Sequence, residues 1–182
     1  MHGRYSRLSL VRDLPVTLDD GTESTFGPGT ILQVTGTDGK SFVDVITEDG
    51  SIGTAAAPTG SSVGMHESFV LRDNDPAEYD GMSVHKAVAN VNDIIGPALI
   101  GMDTLDLDAI DRKMIELDGT DNKSKLGGNA IYSVSVAAYR AAAASLKRPL
   151  YDYIAGGDIK TVPIPSFNVL NGGNNAGIKQ AF

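Results

Sequence analysis

Between Leu126 and Lys147 the chain is apolar nearly all round and crowded with alanine, reading IYSVSVAAYRAAAASL over most of that length. A helix of this kind is normally buried, and its short side chains let neighbouring elements approach closely. The rest of the chain must therefore provide elements that cover it. Three upstream runs have strand character: ILQVTG at 31 to 36, SFVDVIT at 41 to 47 and IGTAAA at 52 to 57. The gaps between them hold Asp38-Gly39 and Asp49-Gly50, dipeptides that favour tight hairpin turns because glycine accepts positive φ. An antiparallel three-stranded meander is predicted. From Ser83 the period changes. Val84, Val88, Val91, Ile95 and Ala98 fall on one face of an amphipathic helix, with Ser83 as its N-cap. A second helix carries Leu107, Ile110, Met114 and Leu117 and stops at Asp118-Gly119. Pro149 ends the alanine-rich helix and opens a short one, PLYDYIAG. Strands followed by helices predict an α+β domain, a helical bundle packed on one face of the meander.

The flanks are less regular. Residues 1–29 form an arm of turn signals in which only LSLV, from Leu8 to Val11, resembles a strand. The predicted α+β domain covers 30–157, and 158–182 reads as a linker and one further strand, within VPIPSFNVLNGG.

Charge and composition narrow the function. With 23 acidic against 15 basic residues the formal net charge is −8, which opposes binding to phosphate backbones, so no nucleic-acid partner is expected. The chain has no cysteine, so thiolate metal sites, disulfides and a cysteine nucleophile are excluded. Any metal must sit on oxygen ligands or on His2, His66 and His85. Neither a membrane-length apolar run nor a secretion signal is apparent, so the expectation is a cytoplasmic protein with no membrane partner.

Four blocks carry more specific information: PTGSSVGMHESFVLRDND at 58–75, then YDGMSVHKAVANVNDIIGPAL, then ELDGTDNKSKLGGNAIYSVSVAAYRAAAA, then PSFNVLNGGNNAG. In this order they resemble the amino-terminal part of the enolase family, the phosphopyruvate hydratases, over about residues 30 to 182. The resemblance implies a capping domain of three strands and several helices followed by the first strand of a β/α barrel. It also implies Mg²⁺ as cofactor, a phosphorylated acid as small-molecule substrate, and a homodimer.

Thr59, Gly60, Ser61, Ser62, Val63 and Gly64 look like the family's mobile lid, which by that match makes Ser62 a ligand of the second Mg²⁺. A hydroxyl on a glycine-flanked loop suits that hard cation. On composition alone the same residues read as a flexible connection, without the Gly-Lys-Ser/Thr of a phosphate loop. Asn171, Gly172, Gly173, Asn175, Ala176 and Gly177 match the pattern at the end of the first barrel strand, the substrate end. There Asn175 stands in place of the family's histidine. Asparagine can hydrogen-bond phosphate or carboxylate but cannot carry a titrating proton near neutral pH. His66 and His85 read as structural hydrogen-bonders, and Arg72 and Asp73 as anchors of the domain or of a subunit contact.

A second departure is GTDGKSFV, from Gly36 to Val43, where enolases read DSRGNPTV. The resemblance further implies that the metal carboxylates, the lysine base and the acid-side glutamates all follow the strand at which this sequence stops. The catalytic set is therefore not expected to be complete within the chain. Three readings follow: the N-terminal part of an enolase-like lyase, inactive alone; a stand-alone, non-catalytic capping module that binds a partner; or a diverged lyase of the superfamily acting on another acid.

Overall fold

The structure, a computed structural model, describes residues 14–17, 23–26, 30–35, 41–47, 49–58, 64–157, 159 and 161–167. Strands β3 (Thr30–Thr35), β4 (Ser41–Ile46) and β5 (Ile52–Ala56) form a three-stranded antiparallel sheet in the order β3-β4-β5. Thr30 pairs with Ile46 across the first hairpin, and Val45 with Gly53 across the second. The second turn uses Gly50 at φ +82°, as its Asp-Gly dipeptide predicts.

The arm departs from expectation. It carries a hairpin of β1 (Leu14–Thr17) and β2 (Glu23–Phe26), in which Leu14 pairs with Phe26. This hairpin brackets the turn signal Asp19-Asp20-Gly21, while the strand expected at Leu8 to Val11 lies outside the described residues. The last strand departs as well. Residues 161–167 have no regular secondary structure, and 168–182 lie outside the described residues. An extended segment becomes a strand only when a neighbour takes up its N–H and C=O groups. Among the described residues no strand pairs with this one, and Val162 and Ile164 are 87% and 94% exposed.

The first predicted helix is divided into α1 (His85–Asn90), a π-helical turn (Val91–Ile95) and α2 (Gly96–Leu99). Pro97 accounts for a break here: it has no N–H to give to the residue four before it, and its ring crowds that carbonyl. Helix α3 (Leu107–Asp118) begins with Asp106 accepting from the Ala109 N–H at 3.0 Å and ends at Gly119 with φ +67°, a left-handed stop. Helix α4 (Gly128–Ser145) is the alanine-rich one, and α5 (Leu150–Ile154) follows Pro149.

Helix α4 packs along β4 and β5, while α2 and the π turn meet β3. Its buried face of Ala130, Val134, Ala137, Ala138, Ala141 and Ala142 meets Val43, Val45 and Ala55 of the sheet, and Ile95, Ile110, Met114 and Leu126 complete the core. At Gly53 the approach is closest. A Cβ there would lie 2.1 Å from the Ala137 carbonyl oxygen and 2.2 Å from the Ala141 nitrogen. No rotamer change relieves a clash with backbone, so the helix would have to move off the sheet. On the other face of β4, the buried Asp44 accepts from the hydroxyl of its cross-strand partner Thr54, and the Thr54 carbonyl accepts from the Arg140 guanidinium of α4.

Two substitutions test this packing by chemical denaturation. Gly53→Ala is expected to cost about 3 kcal/mol or more, at or above the upper end of ordinary overpacking. Gly50→Ala, where nothing lies within 4 Å of the new Cβ, is expected to cost only the left-handed φ, about 1 kcal/mol. Equal effects would remove the close approach as the controlling contact.

Candidate functional site

Of the residues assigned from sequence to the lid and the substrate end, Gly64 alone lies in the described part. Thr59, Gly60, Ser61, Ser62 and Val63, and all of Asn171, Gly172, Gly173, Asn175, Ala176 and Gly177, lie outside it. Residues 64–71 form a strap that runs to the N-terminal end of α4.

This strap has no regular secondary structure, yet its backbone is paired. The Gly64 carbonyl accepts from the Glu67 N–H at 3.2 Å, a single turn. The Phe69 N–H donates to the Asn122 carbonyl and the Phe69 carbonyl accepts from the Gly128 N–H, both at 2.7 Å. Helix α4 has no side-chain N-cap, so the strap carbonyl satisfies an N–H of its first turn. Two residues on, the Asn129 carboxamide grips Leu71 twice: its Oδ1 accepts from the Leu71 N–H at 3.0 Å, and its Nδ2 donates to the Leu71 carbonyl at 3.1 Å. Glycines make room for this contact. A Cβ on Gly128 would lie 2.4 Å from the Ser68 hydroxyl, and one on Gly127, at φ +98°, 2.7 Å from the Leu71 Cβ.

Downstream, Arg72 and Asp73 attach the strap to the start of α1. Arg72 donates from Nη1 to the Met82 carbonyl at 2.5 Å, and the Asp73 N–H donates to the Ser83 carbonyl at 2.9 Å. The Asp73 carboxylate accepts from the His85 N–H at 2.5 Å and the Lys86 N–H at 2.9 Å. It is therefore Asp73, twelve residues upstream, that caps this helix. Ser83, the predicted N-cap, is buried just before it and makes no cap hydrogen bond. Burial raises the Asp73 pKa, but the Lys86 and His85 N–H groups, the Ser83 hydroxyl and the His85 charge outweigh it and hold the carboxyl below its ordinary value. Arg72 and Asp73 thus anchor the domain internally. His85 Nε2 meets Glu78 Oε2 at 2.7 Å on an exposed surface, a structural contact as expected. His66 and Glu67 are exposed within the strap. Between strap and helix, Tyr79, Asp80 and Gly81 all have positive φ and make a left-handed turn.

The DGTDNKSK segment, which lacks the spacing of a calcium loop, is organised from inside by Asp118. This carboxylate, 2% exposed, accepts from the Leu126 N–H at 2.7 Å, the Thr120 N–H at 3.0 Å and the Thr120 hydroxyl. Burial pushes the Asp118 pKa up, but these donors and the Lys123 charge outweigh it and hold the pKa below the usual carboxylate value. Among the described residues no group of three or more His, Cys, Asp or Glu gathers in a way that could hold a metal. No helix there is long and apolar enough to cross a membrane.

Asp73 and Asp118 both ionise more readily folded than unfolded. The stability they contribute is present above the ordinary carboxylate pKa of about 4 and is lost as pH falls below it. Asp118→Asn should lower the melting temperature at pH 7, because its amide nitrogen would face backbone donors, and should flatten the fall in melting temperature below about pH 4. A melting curve with an unchanged acid limb would remove Asp118 from that role.

Sequence reasoning missed the Asn129 clamp and the Asp73 cap, since both join residues distant in sequence. Comparison with known families matches residues 30–154, well over half of the 182-residue chain, to the family described as Enolase, N-terminal domain. The match takes in the whole three-stranded sheet, residues 59–64, the strap and helices α1 to α5, and by it this chain belongs to the enolase family through an N-terminal domain of mixed α and β content.

Proposed function

We propose that the complete protein is an enolase-like lyase, a phosphopyruvate hydratase that converts 2-phosphoglycerate to phosphoenolpyruvate in the Mg²⁺-dependent dehydration step of glycolysis, acting as a cytoplasmic homodimer. The observation that carries this reading is the match over 30–154, which runs through residues 59–64 and the strap that follows them. In the reaction a proton leaves the carbon alpha to the carboxylate, the hydroxyl on the next carbon departs as water, and a double bond forms between the two carbons.

Bound Mg²⁺ would offset the charge that builds on the substrate carboxylate. Ser62 would supply hydroxyl and carbonyl oxygens, the hard donors this ion takes, from a position between Gly60 and Gly64 in the sequence. The described residues offer no set of carboxylates for the ion, so the remaining ligands must come from outside them. Asn171, Gly172, Gly173, Asn175, Ala176 and Gly177 line the substrate end in this reading.

Asn175 favours a second reading. Where the resemblance implies an imidazole, this chain has an amide that can bind phosphate or carboxylate without exchanging a proton near pH 7, which suits a diverged lyase acting on another acid. A stand-alone capping module is the remaining alternative.

Ser62→Ala in the full-length natural protein is expected to lower turnover and raise the Mg²⁺ concentration needed for half-maximal rate. Unchanged kinetics across a magnesium titration would exclude Ser62 as a ligand. The discriminator between substrates is the unaltered full-length protein: Mg²⁺-dependent turnover of 2-phosphoglycerate favours the phosphopyruvate hydratase, whereas no turnover by it, with activity gained in Asn175→His, favours a diverged lyase acting on another acid.

A further inference from the structure

We propose that Arg140 closes a free edge of the sheet: its bond to the Thr54 carbonyl withholds β5 from strand addition, and without that bond β5 pairs with β5 of a second copy of this chain. The two ends of the sheet differ. β3 has α2 and the π turn against it, whereas β5 has β4 as its one neighbouring strand among the described residues. A strand in that place presents a row of N–H and C=O groups to any extended chain that approaches.

The register identifies the row. Beside the β4–β5 turn the Thr47 N–H donates to the Ser51 carbonyl at 3.0 Å, so that pair is hydrogen-bonded. In an antiparallel ladder bonded and non-bonded pairs alternate. Ile46 with Ile52, Asp44 with Thr54 and Phe42 with Ala56 are therefore non-bonded pairs, and the main-chain groups of Ile52, Thr54 and Ala56 point away from β4. The side chains agree, since non-bonded partners stand closest and the Thr54 hydroxyl donates to Asp44. Ile52 is 46% exposed and Thr54 is exposed as well, so this row is open to solvent.

Thr54 is the middle residue of β5, and its carbonyl is taken by Nη1 of Arg140, an exposed residue of α4. Because Gly53 brings α4 onto the backbone of β5, a side chain from the helix can pass the rim of the strand and reach its centre. The occupant that fits this edge is a second copy. β5 reads IGTAA, without charge or proline and with β-branched Ile52 and Thr54. Two such strands placed antiparallel about a two-fold axis at Thr54 set Ile52 against Ala56 and Thr54 against itself, so each outward group meets a partner and the contact closes at two copies. Arg140 opposes this in two ways. It occupies the acceptor at the axis, and the two-fold would bring two guanidiniums together as like charges.

Sedimentation equilibrium and amide hydrogen exchange on the 182-residue chain test this. In Arg140→Ala the weight-average mass should climb with concentration toward twice that of the unaltered chain. Where association occurs, exchange of the Ile52, Thr54 and Ala56 amides should slow at least about tenfold, the effect of one added hydrogen bond of about 1.4 kcal/mol. The Gly53 and Ala55 amides, which face β4, should not respond. Ala56→Pro added to Arg140→Ala takes away an outward donor and spares the ladder with β4, so it should return the mass to that of the unaltered chain.

Arg140→Ala that keeps the mass of the unaltered chain at every concentration overturns the proposal. So does association that Ala56→Pro leaves in place, or that slows none of the three outward amides, because the contact then lies on another surface. If Arg140→Ala does not fold, Arg140→Met keeps an aliphatic stem along the strand without donor or charge and decides in its place.

Discussion

The contact between Gly53 and the backbone of α4 sets the geometry of everything else described. Because the strand carries no Cβ at that point and the helix carries alanines, the two backbones meet with almost nothing between them. Two elements this close have little freedom to slide or tilt, since displacement meets main chain and not a side chain that can change rotamer. The placement of α4 fixes its first turn, and the first turn holds Asn129 and the two glycines against which the strap lies. A packing feature of the core thus becomes a positional feature of the strap at Phe69 and Leu71.

The acidity of the chain, which first argues against nucleic acid, has a second use inside the fold. Asp73 caps α1 from twelve residues away, Asp106 caps α3, Asp118 gathers the loop before α4, and the hydroxyl of Ser145 at the end of α4 donates to Asp49 in the β4–β5 turn at 2.5 Å. In three of these cases backbone N–H groups that no helix or sheet satisfies are taken up by a carboxylate, and Asp49 likewise accepts from the Ser51 N–H at 3.0 Å. Such bonds are charge-assisted and stronger than neutral ones. They hold loops with a definite shape where the apolar core does not reach. These aspartates are therefore occupied with backbone, and their number does not imply a cation site.

The elements legible in sequence were those set by local rules. The three strands, α3 with its glycine stop, the buried α4 and the proline-led α5 follow from alternation, 3.6-residue periodicity and turn dipeptides, and each falls within a residue or two of its expected bounds. The π turn was masked because apolar spacing alone cannot register a break, although Pro97 signalled one. Ser83 has the composition of an N-cap, but tertiary structure brought Asp73 to the helix end instead. Gly53, a lone glycine inside a strand pattern, was a readable sign of close backbone approach. The Asn129–Leu71 clamp was not readable, since residues 58 positions apart carry no mutual local signal. Of the candidate site, the lid and substrate residues rested on resemblance, and only the strap beside them is located by the structure.

The extended segment 161–167 has a further property. Successive residues in an extended chain direct their N–H groups to opposite sides, and Pro163 and Pro165 have none. One side of the segment is left with carbonyls alone over that stretch, while Val162, Ile164 and Ser166 keep their donors on the other. The segment is thus chemically one-sided: any sheet that takes it in can form a full ladder with it along a single flank, and the proline flank must face solvent, side chains or the outer limit of that sheet.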